Sequence, residues 1–145
     1  MKSYSYKAEF KPGERRGVVV VTFPDVPEAI TEGNGEAEAR VMAEEALGLA
    51  LLTYPERGMA LPKARAKGRE LAEVPIAPDV AAKLALLEAF TAAGISKSEL
   101  ARQIGKNEKE VRRLLDPKHP TKLPLLTLAL RALGKCLVIG VADAA

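Results

Sequence analysis

Residues 95–134 read ISKSELARQIGKNEKEVRRLLDPKHPTKLPLLTLALRALG, and this stretch decides how the chain is organised. Ser96 is followed three residues later by Glu99, which is the pattern of a capping box at the start of a helix. Apolar residues then recur with helical spacing until Gly105, a residue type that commonly ends helices. The pattern predicts a short amphipathic helix with one buried face.

A second helix signal follows almost at once. Asn107 and Glu110 form another cap, and Val111 and Leu114 supply the next apolar face. Two short helices joined by a three-residue turn at 105–107 have the spacing of a helix-turn-helix, in which the second helix enters the major groove of DNA. The pattern alone equally allows an ordinary helical hairpin with a solvated basic face, and its exposed positions are Glu108, Lys109, Arg112 and Arg113.

The stretch also resembles the repressor-type helix-turn-helix of the phage-repressor superfamily. The resemblance lies in Ser-x-x-Glu-Leu-Ala-x-x-Ile-Gly at 96–105 and in Leu-x-x-Ala-Leu-x-Ala-Leu-Gly at 126–134. It implies a λ-repressor-like all-α DNA-binding domain, with Glu108 standing where Gln is common. By this resemblance the base-reading residues are Lys97, Glu108, Lys109 and Arg112. We expect the phosphate contacts from the basic residues around them, namely Lys106, Arg113, Lys118 and Lys122.

Charge is distributed unevenly along the 145 residues. Residues 1–74 contain 11 Lys and Arg against 12 Asp and Glu, whereas residues 75–145 contain 11 against 7. A basic rear half joined to a near-neutral front half suits a nucleic-acid module attached to another domain, although the excess is modest. Prolines at 75 and 78 punctuate the passage between the halves, so we predict domains at 1–74 and 75–145.

The front half predicts an α/β unit. Residues 3–10 alternate apolar and polar side chains, and the valine-rich residues 17–23 indicate a second strand paired with the first in a hairpin. A short third strand is predicted at 28–32, a helix from Glu36 to about Thr53, and a fourth strand at 71–76. The expected fold class is therefore α+β.

The order of these front-half features resembles the antitoxin of the HicA/HicB toxin–antitoxin systems. The matching positions are FPDVP at 23–27, Ala29, Thr31, Gly33, Glu38-Ala39, Ala46-Leu47, Leu61-Pro62 and Val74-Pro75. Followed by a repressor-like domain, this order resembles the long HicB subtype, and it covers nearly the full chain. The resemblance implies a partial RNase-H-like front domain that binds and neutralises HicA, a small basic mRNA interferase, and a rear domain that represses the operon's own promoter.

The front-half acids are the candidate contacts for such a basic toxin. They cluster around the FPDVP turn and could steer a basic partner, although they could equally form only a solvated rim: Asp25, Glu28, Glu32, Glu36 and Glu38. The alternative function is a stand-alone repressor whose front domain oligomerises or senses a ligand.

Enzymatic chemistry has little support in the sequence. The strand at 17–23 carries no carboxylate, the single His119 lies in a proline-braced loop, and no zinc or nucleotide-loop spacing occurs, so we expect no catalysis, metal or cofactor.

The single Cys136 and the absence of a long apolar run favour a cytoplasmic protein without a membrane segment. Residues 135–141 predict a terminal strand that pairs with a second copy, giving a homodimer or a dimer of dimers.

Overall fold

A computed structural model describes residues 1–144 and divides the chain into two compact units, Met1–Ala77 and Pro78–Ala145. We call them the front unit and the rear unit. The division falls shortly after the boundary at 74/75 that the sequence suggests. The α+β class is confirmed, because a four-stranded sheet and one helix occupy the front unit and four helices occupy the described part of the rear unit.

The front unit is built on an antiparallel sheet. Its strands are β1 (Ser5–Pro12), β2 (Val18–Thr22), β3 (Ile30–Asn34) and β4 (Leu71–Pro75), arranged in the order β3-β2-β1-β4. β1 and β2 form the predicted hairpin, and β4 pairs with the other edge of β1. All three pairings are antiparallel. Whether the sheet is part of an RNase-H-like fold stays a prediction.

Helix α1 (Glu36–Glu56) packs its small and aliphatic residues on this sheet. Ala39, Ala43, Leu47 and Leu51 are fully buried, and they recur with helical spacing. The helix extends past its predicted end at about Thr53, and Pro55 lies in its last turn.

Gly33 marks the closest approach between α1 and the sheet. A Cβ atom built on it would lie 2.5 Å from the backbone nitrogen of Ala39, so no side chain fits between β3 and the first turn of the helix. The small residue at this position therefore sets how closely the helix can lie on the sheet.

The rear unit consists of α2 (Pro78–Ala93), α3 (Lys97–Ile104), α4 (Glu108–Leu114) and α5 (Leu123–Ala132). All four helices contribute to one apolar cluster, which includes the fully buried Leu86, Leu100, Val111 and Leu126. Burial of such aliphatic side chains contributes on the order of 1.5–3 kcal/mol each, so the core and not helix propensity holds these short helices.

The apolar spacing of residues 80–93 predicts a helix with Asp79 as its cap, but α2 begins at Pro78 and Asp79 lies in its first turn. Residues 133–144 form no helix or strand in the single chain, and the strand predicted at 135–141 to pair with a second copy stays a prediction. The physical reason is that a strand needs a neighbour to accept its hydrogen bonds, and the rear unit offers this segment no sheet.

Candidate nucleic-acid and protein interfaces

The turn between α3 and α4 is fixed by its caps. Gly105 adopts φ 67°, and the backbone N–H of Lys106 donates to the carbonyl of Ala101 at 3.0 Å. Asn107 accepts from the backbone N–H of Glu110 at 2.8 Å, and the Glu110 carboxylate accepts from the Asn107 N–H at 3.1 Å. The second predicted capping box is therefore complete, and it rigidly defines the start of α4.

The first predicted capping box is only half formed. The Ser96 hydroxyl accepts from the Glu99 backbone N–H at 3.1 Å, but the Glu99 carboxylate turns to Arg102 and Gln103. The hydrogen bonds from Arg102 lower the pKa of Glu99 to about 2. Glu99 thus supports the solvent face of α3 through i,i+3 and i,i+4 partners.

The eight residues predicted to contact DNA all lie on the surface of the rear unit. Each of them is exposed, and they occupy the start of α3, the turn, α4, the loop after it and the start of α5: Lys97, Lys106, Glu108, Lys109, Arg112, Arg113, Lys118 and Lys122. On α4 the exposed positions lie opposite the buried Val111 and Leu114. The helix therefore presents a charged face outward while its apolar face holds it to the core.

Glu108 engages both helices of this pair. Its carboxylate accepts a hydrogen bond from the hydroxyl of Ser98 on α3, and it lies 3.7 Å from the Arg112 guanidinium on α4. An exposed i,i+4 ion pair contributes roughly 0.3–0.5 kcal/mol, so Arg112 can leave it for a stronger acceptor at small cost. Glu108 thus orients the Arg112 side chain but leaves its guanidinium free to bind another acceptor.

Lys83 is a functional candidate that the sequence-based predictions did not include. It is 3% exposed, and its ammonium group donates to the carbonyls of Leu114 and Asp116 and to the hydroxyl of Thr121. Burial lowers the pKa of Lys83 to about 8, and the charge of Asp116 opposes that shift. The sequence pattern that could have identified Lys83 is its position three residues after Val80 and four before Leu87, which places a single lysine on the apolar side of the helix.

The five acids predicted to bind a toxin are not a free cluster, because each has a partner inside the front unit. The Asp25 carboxylate accepts from the backbone N–H groups of Arg65 and Ala66, both at 2.8 Å. Asp25 therefore holds the segment between α1 and β4 onto the FPDVP turn. No pattern in the sequence indicates this partner about forty residues away.

Glu28 is engaged in a similar way. Its carboxylate accepts from the Tyr54 hydroxyl at 2.8 Å, and this hydrogen bond lowers the pKa of Glu28. The pKa of Tyr54 is raised, mainly by burial and secondly by the hydrogen bond to Glu28. The Arg57 guanidinium lies 5.4 Å from the centroid of the same tyrosine ring. The three side chains fasten the C-terminal end of α1 to the segment before β3.

The remaining three acids lie around the start of α1. Glu32 pairs with Arg15 at 2.7 Å, and Glu36 pairs with Arg40 at 3.1 Å. The Glu38 carboxylate accepts from the Asn34 backbone N–H. Glu36 and Glu38 thus also place negative charge in the first turn of α1, where it favours the helix dipole.

A shallow groove of about 600 Å³ opens between β3 and the C-terminal half of α1. Ile30 and Leu49 line it with 64% and 69% of their surfaces exposed, and Glu28 and Glu56 lie at its margin. β3 is an edge strand of the sheet, so its outer backbone groups lie beside the groove. Exposed apolar residues next to a strand edge are features of protein-binding surfaces.

No group of three or more His, Cys, Asp or Glu residues within 1–144 is arranged to hold a metal ion. Within the same residues, no helix is both long enough and apolar enough to cross a membrane. His119 and Cys136 are both exposed.

Comparison with known proteins identifies the family. No protein-family model matches the chain. Antitoxin HicB 2 of Photorhabdus laumondii subsp. laumondii is 38% identical over 134 residues, which cover 92% of this chain and 94% of that protein. Antitoxin HicB of Escherichia coli is 41% identical over 121 residues, covering 82% and 86%. Antitoxin HicB 1 of the same Photorhabdus is 33% identical over 141 residues, covering 97% and 89%. Because these identities extend over most of both chains, the protein belongs to the HicB family of antitoxins.

Proposed function

We propose that the chain neutralises a HicA-type toxin with its front unit and represses its own operon by binding operator DNA with its rear unit. The observation that carries the proposal is the combination of HicB family membership with a capped α3–turn–α4 pair whose outer face is charged. The two compact units give each activity its own scaffold.

The DNA-binding half rests on the outer face of α4. Lys109 and Arg112 lie on that face, and the complete capping box holds the start of the helix in one conformation. Long basic side chains on a rigid helix can reach base edges in the major groove, whereas the surrounding lysines serve phosphates. We assign base contacts to Lys97, Glu108, Lys109 and Arg112, and phosphate contacts to Lys106, Arg113, Lys118 and Lys122.

Two substitutions separate these roles. Arg112→Ala is expected to weaken operator binding by about 1–3 kcal/mol and to affect random DNA much less. Lys122→Ala is expected to weaken binding to operator and random DNA alike and to reduce the slope of log affinity against log salt concentration by about 0.9. Equal losses on operator and random DNA for Arg112→Ala would remove it from the base-reading set.

The toxin-binding half rests on the groove and the acids around it. A toxin that binds RNA is expected to be basic. Glu28 and Glu56 outnumber Arg57 among the residues that line the groove beside the exposed Ile30 and Leu49. We propose that the partner covers this groove, while the other acids act mainly through the intrachain contacts they already make. Leu49→Asp, which changes an exposed side chain without touching the core, is expected to weaken toxin binding. Val41→Asp on the same helix, at 57% exposure, is the matched control outside the groove.

Association of two copies is proposed through the apolar tail, residues 137–141. Val138, Ile139 and Val141 are 61%, 52% and 99% exposed in the single chain. Burying them against a second copy would remove this apolar surface from water and place two rear units together on a palindromic site. Sedimentation of a chain ending at Gly134 tests the seam, since an unchanged dimer would count against it.

Fragments 1–77 and 78–145 test the division of labour. The first is expected to bind the toxin and stop RNA cleavage without shifting operator DNA, and the second to bind DNA without affecting the toxin. If the front fragment is folded and inert toward the cognate toxin while the full chain inhibits it, the modular proposal is wrong. Operator binding without any toxin partner would instead favour the stand-alone repressor.

A further inference from the structure

Lys83 places a charged group in the interior of the rear unit. Its side chain starts on α2 and ends among four oxygen atoms of one other segment, the end of α4 and the loop that follows it. The distances from its nitrogen are 2.6 Å to the Leu114 carbonyl, 2.7 Å to the Thr121 hydroxyl, 3.2 Å to the Asp116 carbonyl and 3.4 Å to the Arg113 carbonyl.

The chemistry of these acceptors explains why a lysine is tolerated there. The last carbonyls of a helix lack partners within the helix and carry the negative end of its dipole. Three of the four acceptors are carbonyls at or just beyond the end of α4. The Arg113 and Asp116 carbonyls also accept from the backbone N–H groups of Asp116 and His119, at 3.2 and 3.1 Å. The buried ammonium group donates to all three carbonyls, and its shortest hydrogen bond, at 2.6 Å, is to Leu114.

The clamped segment also carries DNA-facing residues. The loop after α4 holds Lys118, and Lys122 follows Thr121 directly at the start of α5. The loop is short and contains prolines at 117 and 120, so displacement at either of its ends would move both lysines relative to α4.

We propose that Lys83 is a positioning residue, whose ammonium group fixes the end of α4 and the following loop in the arrangement that meets DNA. The inference rests on the proposed operator binding, which it deepens. Lys83 itself is buried and contacts no DNA; it acts through the segment that it holds.

The test compares full-length Lys83→Met with Arg131→Met. Both changes remove one positive charge, but Arg131 is exposed on α5 and makes none of these contacts. Hydrogen exchange is measured at the amides of Leu115 and His119 in the clamped segment, and at Leu100 on α3 as the reporter of the whole unit. We expect exchange at the first two to quicken at least tenfold in Lys83→Met, with little change at Leu100 and none in Arg131→Met.

Operator affinity and its salt dependence provide the second readout. Lys83→Met is expected to weaken operator binding about tenfold more than Arg131→Met, and to lower the salt slope by roughly 1–2 because two phosphate-binding lysines lose their fixed positions. A loss of stability alone would not lower that slope at a temperature where the variant is fully folded.

Thr121→Val keeps the lysine and removes one acceptor. It is expected to quicken exchange at Leu115 by about threefold, and this measurement is decisive if Lys83→Met does not fold. Unchanged exchange in the clamped segment, or operator affinity within twofold of Arg131→Met, would overturn the proposal. If the wild-type chain binds no promoter DNA, the operator function itself fails, whereas the exchange measurements still decide whether Lys83 holds the segment.

Discussion

Replacing Gly33 by alanine tests how closely the sheet and α1 are packed. The added Cβ would lie 2.5 Å from the Ala39 nitrogen, 2.7 Å from the Ala39 Cα and 2.8 Å from the Glu38 carbonyl carbon, whereas ordinary contact begins at 3.4 Å. The start of α1 would have to move by about 0.9 Å, the difference between 3.4 and 2.5 Å. Overpacking costs about 1–3 kcal/mol, and backbone atoms cannot rotate away, so the upper end applies. Alanine recovers about 0.4–1 kcal/mol by restricting the unfolded chain, which leaves a net loss of about 2 kcal/mol.

Urea unfolding followed by tyrosine fluorescence measures this loss in the front unit alone. All three tyrosines, Tyr4, Tyr6 and Tyr54, lie in that unit, and the chain has no tryptophan. A Gly33→Ala chain as stable as the wild type would show that α1 tolerates a Cβ at this position.

Three further changes have defined expectations. Asp25→Ala is expected to cost about 1–3 kcal/mol and to quicken amide exchange at Arg65, since two backbone donors lose a carboxylate acceptor. Asn107→Ala is expected to cost about 1 kcal/mol in thermal melts and to weaken operator binding, because α4 loses its cap. Glu99 has a lowered pKa of about 2, so its stabilisation is present above its ordinary pKa near 4.5 and is lost as the pH falls toward 2. Glu99→Gln is therefore expected to be less stable than wild type at pH 7, and the difference should vanish near pH 2.

Local signals in the sequence predicted most of the secondary structure. Asn107 and Glu110 lie three residues apart, and this spacing predicted the capping box that the structure contains. The same spacing at Ser96 and Glu99 gave only the first of the two hydrogen bonds. The Tyr6 and Ala8 alternation likewise placed β1 with its buried face on the correct side. Both signals depend on neighbours along the chain, which are visible in a single sequence.

Long-range partners could not be read in this way. The bonds from Arg65 and Ala66 to Asp25 join residues that only the folded sheet brings together, and the five acids look free until their partners are known. Lys83 presented a readable anomaly, but its acceptors lie some thirty residues further along the chain. The apolar pattern of residues 135–141 predicted a strand because pattern does not report whether a pairing neighbour exists.

Direct neutralisation of a HicA-type toxin by this chain is tested by following cleavage of a defined RNA by the toxin from the same operon, with increasing amounts of the folded full-length chain. Cleavage is expected to stop once the chain reaches a fixed stoichiometric ratio to the toxin, and Leu49→Asp is expected to shift this end point to higher concentration. Undiminished cleavage in the presence of a large excess of folded chain would contradict direct neutralisation.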